Sequence, residues 1–280
     1  MARRQTILCP SCRRLIHVSE ARCPYCETAR PGLFGLTPWL QSLFGQRLDL
    51  VLLMSLTCGL LYSLTLGIDL QGVGWGGGIF DLGSPASRAL VLFGMTGEPA
   101  WGRGHYWTAV TAIYLHGSAI HLIFNLLFLR WLGRQAEETF GPARFFLLFT
   151  AAGVGGFLLS NVITGHPTIG ASGGVFGLLG AMASFGRRRG GSFGQLLSLQ
   201  MWALALGMGV FGLLYGGINN WAHGGGFLVG LAGGALLPLQ ARKHEGRLAM
   251  GLAVVILVGT ALSFGASLVA WGPAFVESLR

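Results

Sequence analysis

Seven stretches of this chain are apolar and close to the length of a bilayer crossing, and that limits the fold more than any other feature. They run near Leu48–Ile68, Ile120–Arg134, Phe145–Ile163, Ser172–Phe185, Leu196–Tyr215, Trp221–Leu239 and Leu248–Trp271. A helix needs about 20 mostly apolar residues to span hydrocarbon. The composition agrees, with 52% of the 280 residues hydrophobic and 10% charged. A soluble domain carries about a quarter charged residues. The sequence therefore predicts an all-α polytopic membrane protein. The second and fourth apolar cores are short, so they start below the surface or are extended by polar residues. Glycine is abundant, at 47 residues, and in lipid glycine lets helices approach closely. Gly173, Gly177 and Gly180 share one face of the fourth span, and Gly226, Gly230 and Gly233 share one face of the sixth. These two helices are expected to pack tightly together.

Orientation follows from the arginines. Arg3, Arg4, Arg13, Arg14, Arg22, Arg30 and Arg47 precede the first span. Alternate loops carry Arg134 and Arg144, then Arg187–Arg189, then Arg242, Lys243 and Arg247, while the other loops carry few basic residues. Basic loops stay in the cytoplasm, so the N-terminus is expected inside and the C-terminus outside. The net charge of +9 is explained by these loops, and no nucleic-acid partner is expected. No secretory signal peptide is expected either, because the first residues lack an apolar h-region.

With that orientation, five polar residues fall at one depth in the outer half of the membrane. Ser172 opens the fourth span, His223 lies near the start of the sixth, and His116, His121 and Asn125 lie at the start of the second. Polar groups at membrane depth are costly and usually functional. A serine hydroxyl becomes a useful nucleophile only when a neighbour takes its proton, and His223 is the available base. No carboxylate is placed to complete a triad, since Glu137 and Glu138 lie at the cytoplasmic end of their span. A Ser–His dyad is what remains. His121 and Asn125 are four apart, hence on one helix face, and can donate to a developing oxyanion. The backbone N–H of Ser172, at a helix start, adds another donor.

These residues sit in "HGSAIHLIFN" (116–125), "GASGG" (170–174) and "AHGGGFLVG" (222–230). The three motifs, in that order on the second, fourth and sixth spans, resemble the rhomboid intramembrane serine proteases over about residues 48–240. The resemblance implies a six-helix core followed by one C-terminal helix, an arrangement called 6+1. It implies Ser172 as nucleophile and His223 as base. His121, Asn125 and the flanking Gly170 and Gly173 would form the oxyanion site, with His116 in support. Phe176 and Gly226 would pack the dyad. The substrates implied are transmembrane or membrane-proximal segments of other proteins, entering sideways between helices, with no cofactor for catalysis. The setting implied is a lipid bilayer, the bacterial inner membrane.

Two positions depart from the family. A tyrosine is common one turn after the serine, and here it is Phe176, which keeps the stacking face and loses the hydroxyl. Trp-Arg is common in the first outer loop, and here Trp107-Thr108 stands with Arg103 nearby. The anchoring of that loop, about 69–115, stays open. The seventh span offers no chemistry and is expected to pack on the outside of the core.

The N-terminus is a separate object. "CPSC" and "CPYC" place Cys9, Cys12, Cys23 and Cys26 as two C-x-x-C pairs with ten residues between them. Four thiolates suit tetrahedral Zn²⁺, and a reducing cytoplasm disfavours disulfides. Residues 1–30 are expected to be a zinc-ribbon-like module stabilised by a structural metal, with iron or redox use as the alternative. His17 is not expected as a ligand. The module is a candidate to recruit a cytoplasmic partner or a substrate tail. Residues 31–47 read as a linker with an interfacial helix, and 241–280 as a loop and the seventh helix.

Three further readings compete. "GASGG" fits the nucleophile elbow of soluble hydrolases, but that elbow needs a strand before the serine. A transporter would show repeat symmetry and broken helices, neither of which is visible. A catalytically silent rhomboid-like protein that binds transmembrane clients is the principal alternative, and the presence of both Ser172 and His223 favours the protease.

Overall fold

The computed structural model describes residues 6–9, 12, 14–17, 19–27, 49–76, 78, 81–239 and 246–278. The expected linker at 31–47 and the basic loop at 241–245 lie outside the described residues. The chain divides into two compact units, Met1–Leu53 and Met54–Arg280.

In the first unit, β1 (Thr6–Leu8) pairs antiparallel with β2 (Leu15–His17), with Thr6 opposite His17 and Leu8 opposite Leu15. Alternation along each strand turns Ile7 and Ile16 inward, where they are buried with Cys9 and Cys23. Among the described residues, two isoleucines are too small a core to hold such a unit.

Seven long helices are present among the described residues: α1 (Leu50–Gly67), α2 (Ala119–Phe140), α3 (Pro142–Ile163), α4 (Ser172–Arg189), α5 (Gly191–Leu214), α6 (Asn220–Leu236) and α7 (Arg247–Ser278). They coincide with the seven expected spans. Four of them, α1, α3, α5 and α7, are long and apolar enough to cross a membrane by length and composition alone. Of the other three, α6 is short, at 17 residues, while α2 and α4 carry charged residues toward their ends, Arg130, Arg134, Glu137 and Glu138 in α2 and Arg187–Arg189 in α4. Several helices of this length and apolarity in one chain make this a multi-pass membrane protein.

The helix starts follow capping chemistry. Asp49 Oδ1 accepts the Leu52 N–H at 2.8 Å, Ser118 Oγ accepts the His121 N–H at 3.3 Å, and Asn219 Oδ1 accepts the Ala222 N–H at 3.1 Å. At its other end α6 is closed by Arg188, whose guanidinium donates to the Gly234 carbonyl at 2.9 Å.

Helix α4 is the hub. It is buried at every position from Gly173 to Gly186 and touches α2, α3, α5 and α6, with the α6 interface the most extensive. Glycine sets that interface. A Cβ on Gly226 would stand 2.9 Å from the Gly173 carbonyl carbon, and one on Gly234 would stand 2.5 Å from the Ala181 oxygen. Such backbone-on-backbone contact replaces side-chain interdigitation. One expectation is corrected: Gly233 faces Leu148 of α3, and Gly234 takes its place against α4.

The loop at 69–115 is structured over most of its described residues. It contains short helices at Ser87–Leu92, Glu98–Trp101 and Thr108–Thr111 and a 3₁₀ turn at Ala112–Tyr114. The chain bends by 91° between Thr108–Tyr114 and α2. Helix α7, largely exposed, packs against α3 and against this loop.

Candidate active site and a four-cysteine cluster

Ser172 is the first residue of α4, and two features bring it there. Gly170 adopts φ +122°, which a side chain rarely tolerates, and a Cβ at that position would stand 2.7 Å from His121 Nε2. The Gly170 N–H donates to the Ala112 carbonyl at 2.9 Å, tying the approach to the loop before α2. The first turn of α4 then leaves N–H groups without intrahelical acceptors, beside the Ser172 hydroxyl.

His223 reaches the same point from α6. Its Nε2 lies 2.9 Å from Ser172 Oγ. The Phe176 ring, one turn along α4 from Ser172, stacks on the imidazole with centroids 4.2 Å apart and planes 10° from parallel. His223 Nδ1 is buried with no hydrogen-bond partner among the described residues. Ser172 and His223 are both partly exposed, so the pair is reachable.

Helix α2 supplies the third side. The Gly117 N–H donates to His121 Nδ1 at 3.3 Å. In a neutral ring that leaves the proton on Nε2, the nitrogen turned toward Gly170. Asn125 is buried, and its Nδ2 donates to the His121 carbonyl at 2.9 Å, which leaves one amide hydrogen. His116 is fully buried, its ring centroid 5.1 Å from that of His121. Gly173 lies against Gly153 of α3, 3.5 Å from where its Cβ would be.

The anchoring of the loop at 69–115, which sequence left open, lies in α7. Trp107 Nε1 donates to Ser267 Oγ at 3.1 Å, and the Arg103 guanidinium sits 5.0 Å over the Trp271 ring. Arg88 pairs with Asp69 through Nε at 2.5 Å and donates from Nη1 to the Ser278 carbonyl at 2.7 Å. The Arg88 hydrogen bonds hold the Asp69 carboxyl below its ordinary pKa. Sequence reasoning missed this use of α7, because its partners lie 160 and 190 residues away. It also missed Asn219, whose cap position before α6 was the available signal.

In the first unit the sulfurs of Cys9, Cys12, Cys23 and Cys26 lie within 4.8 Å of one another. Cys9 and Cys26, and Cys12 and Cys23, approach to 3.6 Å, and none of the four is in a disulfide. A tetrahedral site with Zn–S near 2.3 Å requires S···S of about 3.8 Å, so the cluster fits a metal ion of that size. His17 is turned to Ser19, 2.6 Å from its hydroxyl.

Residues 103–240 match the family model described as Rhomboid domain. Among curated proteins, the chain is similar to Rhomboid protease GluP of Bacillus subtilis (strain 168), 32% identical over 182 residues, which is 65% of this chain and 36% of that protein. It is also similar to RHOMBOID-like protein 4 of Arabidopsis thaliana, 35% identical over 146 residues, covering 50% of this chain and 36% of the relative. Rhomboid-like protease 3 of Toxoplasma gondii is 29% identical over 154 residues, covering 53% and 58%. The chain thus matches between about a third and somewhat more than half of these relatives' lengths. The matched stretch holds His116, His121, Asn125, Ser172 and His223, and with it the chain carries a Rhomboid domain, has homologues named as rhomboid proteases and bears a four-cysteine cluster ahead of that domain in sequence.

Proposed function

We propose that this protein is an intramembrane serine endopeptidase that cuts transmembrane or membrane-proximal segments of other proteins with the Ser172–His223 dyad. The observation that carries the reading is the 2.9 Å contact between Ser172 Oγ and His223 Nε2 at the outer ends of two glycine-packed helices. His223 Nε2 takes the Ser172 proton as Oγ attacks the scissile carbonyl. The oxyanion so formed receives the Ser172 backbone N–H, the His121 Nε2–H and the free Asn125 amide hydrogen. When the tetrahedral intermediate collapses, the C–N bond breaks and His223 returns its proton to the leaving amine. Water, deprotonated by His223, then cleaves the acyl-serine and restores the hydroxyl.

The arginine distribution supports a cytoplasmic N-terminus and an outer-facing dyad, and the membrane is read as the bacterial inner membrane. The four cysteines are read as a structural Zn²⁺ site, giving a module that can recruit a cytoplasmic partner. The test is cleavage of a model transmembrane substrate by the purified protein, with Ser172→Ala alongside. Cleavage that is lost in the variant, with insertion and folding kept, is the expected result. Equal cleavage by both proteins would contradict the mechanism.

A further inference from the structure

Asn219 does more than cap α6. Its Oδ1 accepts the Ala222 N–H at 3.1 Å, and its Nδ2 donates both to Thr168 Oγ1 at 2.8 Å and to Ser160 Oγ at 2.5 Å. A cap needs only the first of these bonds. The other two reach buried hydroxyls on separate elements. Thr168 stands four residues before Ser172, and its N–H is held from the other side by the Thr96 carbonyl at 2.8 Å. Ser160 lies in the last turn of α3, where its carbonyl accepts the Thr164 N–H at 2.8 Å. One amide therefore joins the start of the His223 helix, the segment that delivers Ser172 and the end of α3.

The arrangement answers a mechanical need. The glycine faces of α4 and α6 fix how closely the helices approach, but smooth backbone contacts resist sliding along the axes only weakly. Directional hydrogen bonds at the shared outer end resist it strongly. The rate of a proton transfer between Ser172 and His223 depends steeply on that register, since a misplacement of about 1 Å can cost 10²-fold.

We infer that Asn219 is a positioning residue that sets the register of His223 against Ser172 through Thr168 and Ser160. The inference rests on the protease reading. Two variants separate bracing from capping. Asn219→Ser keeps a capping oxygen but is too short to reach Thr168, and Thr168→Val removes the other end of the bond at nearly constant shape. The full-length protein in vesicles is assayed for kcat and KM on a transmembrane substrate, for the rate of fluorophosphonate labelling at Ser172, and for Tm.

Each single variant is expected to lose about tenfold in kcat and in labelling rate, with KM within about twofold and Tm within about 5 °C of wild type. The double variant is expected to be no slower than Asn219→Ser alone, because that variant already lacks the bond that Thr168→Val removes. If Asn219→Ser fails to fold, Thr168→Val decides. Wild-type kcat and labelling in the singles, or losses that multiply in the double, would overturn the inference while leaving the protease reading intact. A wild-type protein that neither cuts nor labels would overturn both.

Discussion

The imidazole of His223 lies flat on the ring of Phe176, 4.2 Å between centroids and 10° from parallel. Phe176 is buried on α4, so the histidine rests on a fixed surface and keeps one rotamer facing Ser172. Stacked aromatic pairs contribute about 1 kcal/mol beyond area burial, and 1.36 kcal/mol is tenfold in rate. Phe176→Leu is expected to lower kcat by about fivefold at similar KM, while Phe176→Tyr stays near wild type because the ring face is kept. Steady-state kinetics on one substrate checks both.

Asn125 offers one amide hydrogen beyond its bond to the His121 carbonyl. A donor that acts on the transition state lowers kcat when removed and leaves substrate affinity in place. Asn125→Ala is expected to lose up to about 10²-fold in kcat, less if His121 compensates. A full kcat with weakened affinity would instead assign Asn125 to substrate positioning.

The pairing of Asp69 with Arg88 gives a pH prediction. The folded carboxyl titrates below its ordinary value because of the Arg88 hydrogen bonds. The stabilisation is therefore fully present above the ordinary Asp pKa of about 3.9 and is lost as pH falls through the lower folded value. Tm of wild type is expected to exceed that of Arg88→Gln near neutrality, and the gap is expected to close below about pH 4. A gap constant down to about pH 2 would mean that the pairing contributes nothing.

The cysteine cluster predicts about one zinc per chain by elemental analysis, the stoichiometry of a closed four-thiolate site. Cys9→Ser or Cys23→Ser should release it and unfold the hairpin of β1 and β2, whose apolar core among the described residues is Ile7 and Ile16 with two buried cysteines. A chain beginning at Asp49 keeps α1 and its cap. It is expected to cut a simple transmembrane substrate at the wild-type rate, because no residue of the proposed dyad lies in the removed part. A folded but inactive truncated chain would show that the module is coupled to catalysis.

Much of this was legible in the chain itself, for physical reasons that also explain the gaps. Spans such as Pro142–Ile163 are visible because a bilayer crossing demands an unbroken apolar run. Ser172, His223, His121 and Asn125 stand out because polar groups at that depth are rare. What stayed hidden depends on distant pairing. The roles of Asn219 toward Ser160 and Thr168, and of Ser267 toward Trp107, join residues 51 to 160 positions apart. The exchange of Gly233 for Gly234 on the α4 face reflects a helical phase that small-residue spacing does not fix. The Phe176 stack was readable only through the family resemblance, because periodicity gives a helix face and not a ring orientation.

The central claim is that Ser172 is a nucleophile activated by His223. The most direct measurement is mass spectrometry of the intact protein after reaction with a fluorophosphonate, in wild type, Ser172→Ala and His223→Ala. The expected result is one adduct, located on Ser172, absent from Ser172→Ala and formed at least about 10²-fold more slowly in His223→Ala. An adduct at another residue, or equal labelling in wild type and His223→Ala, would contradict it.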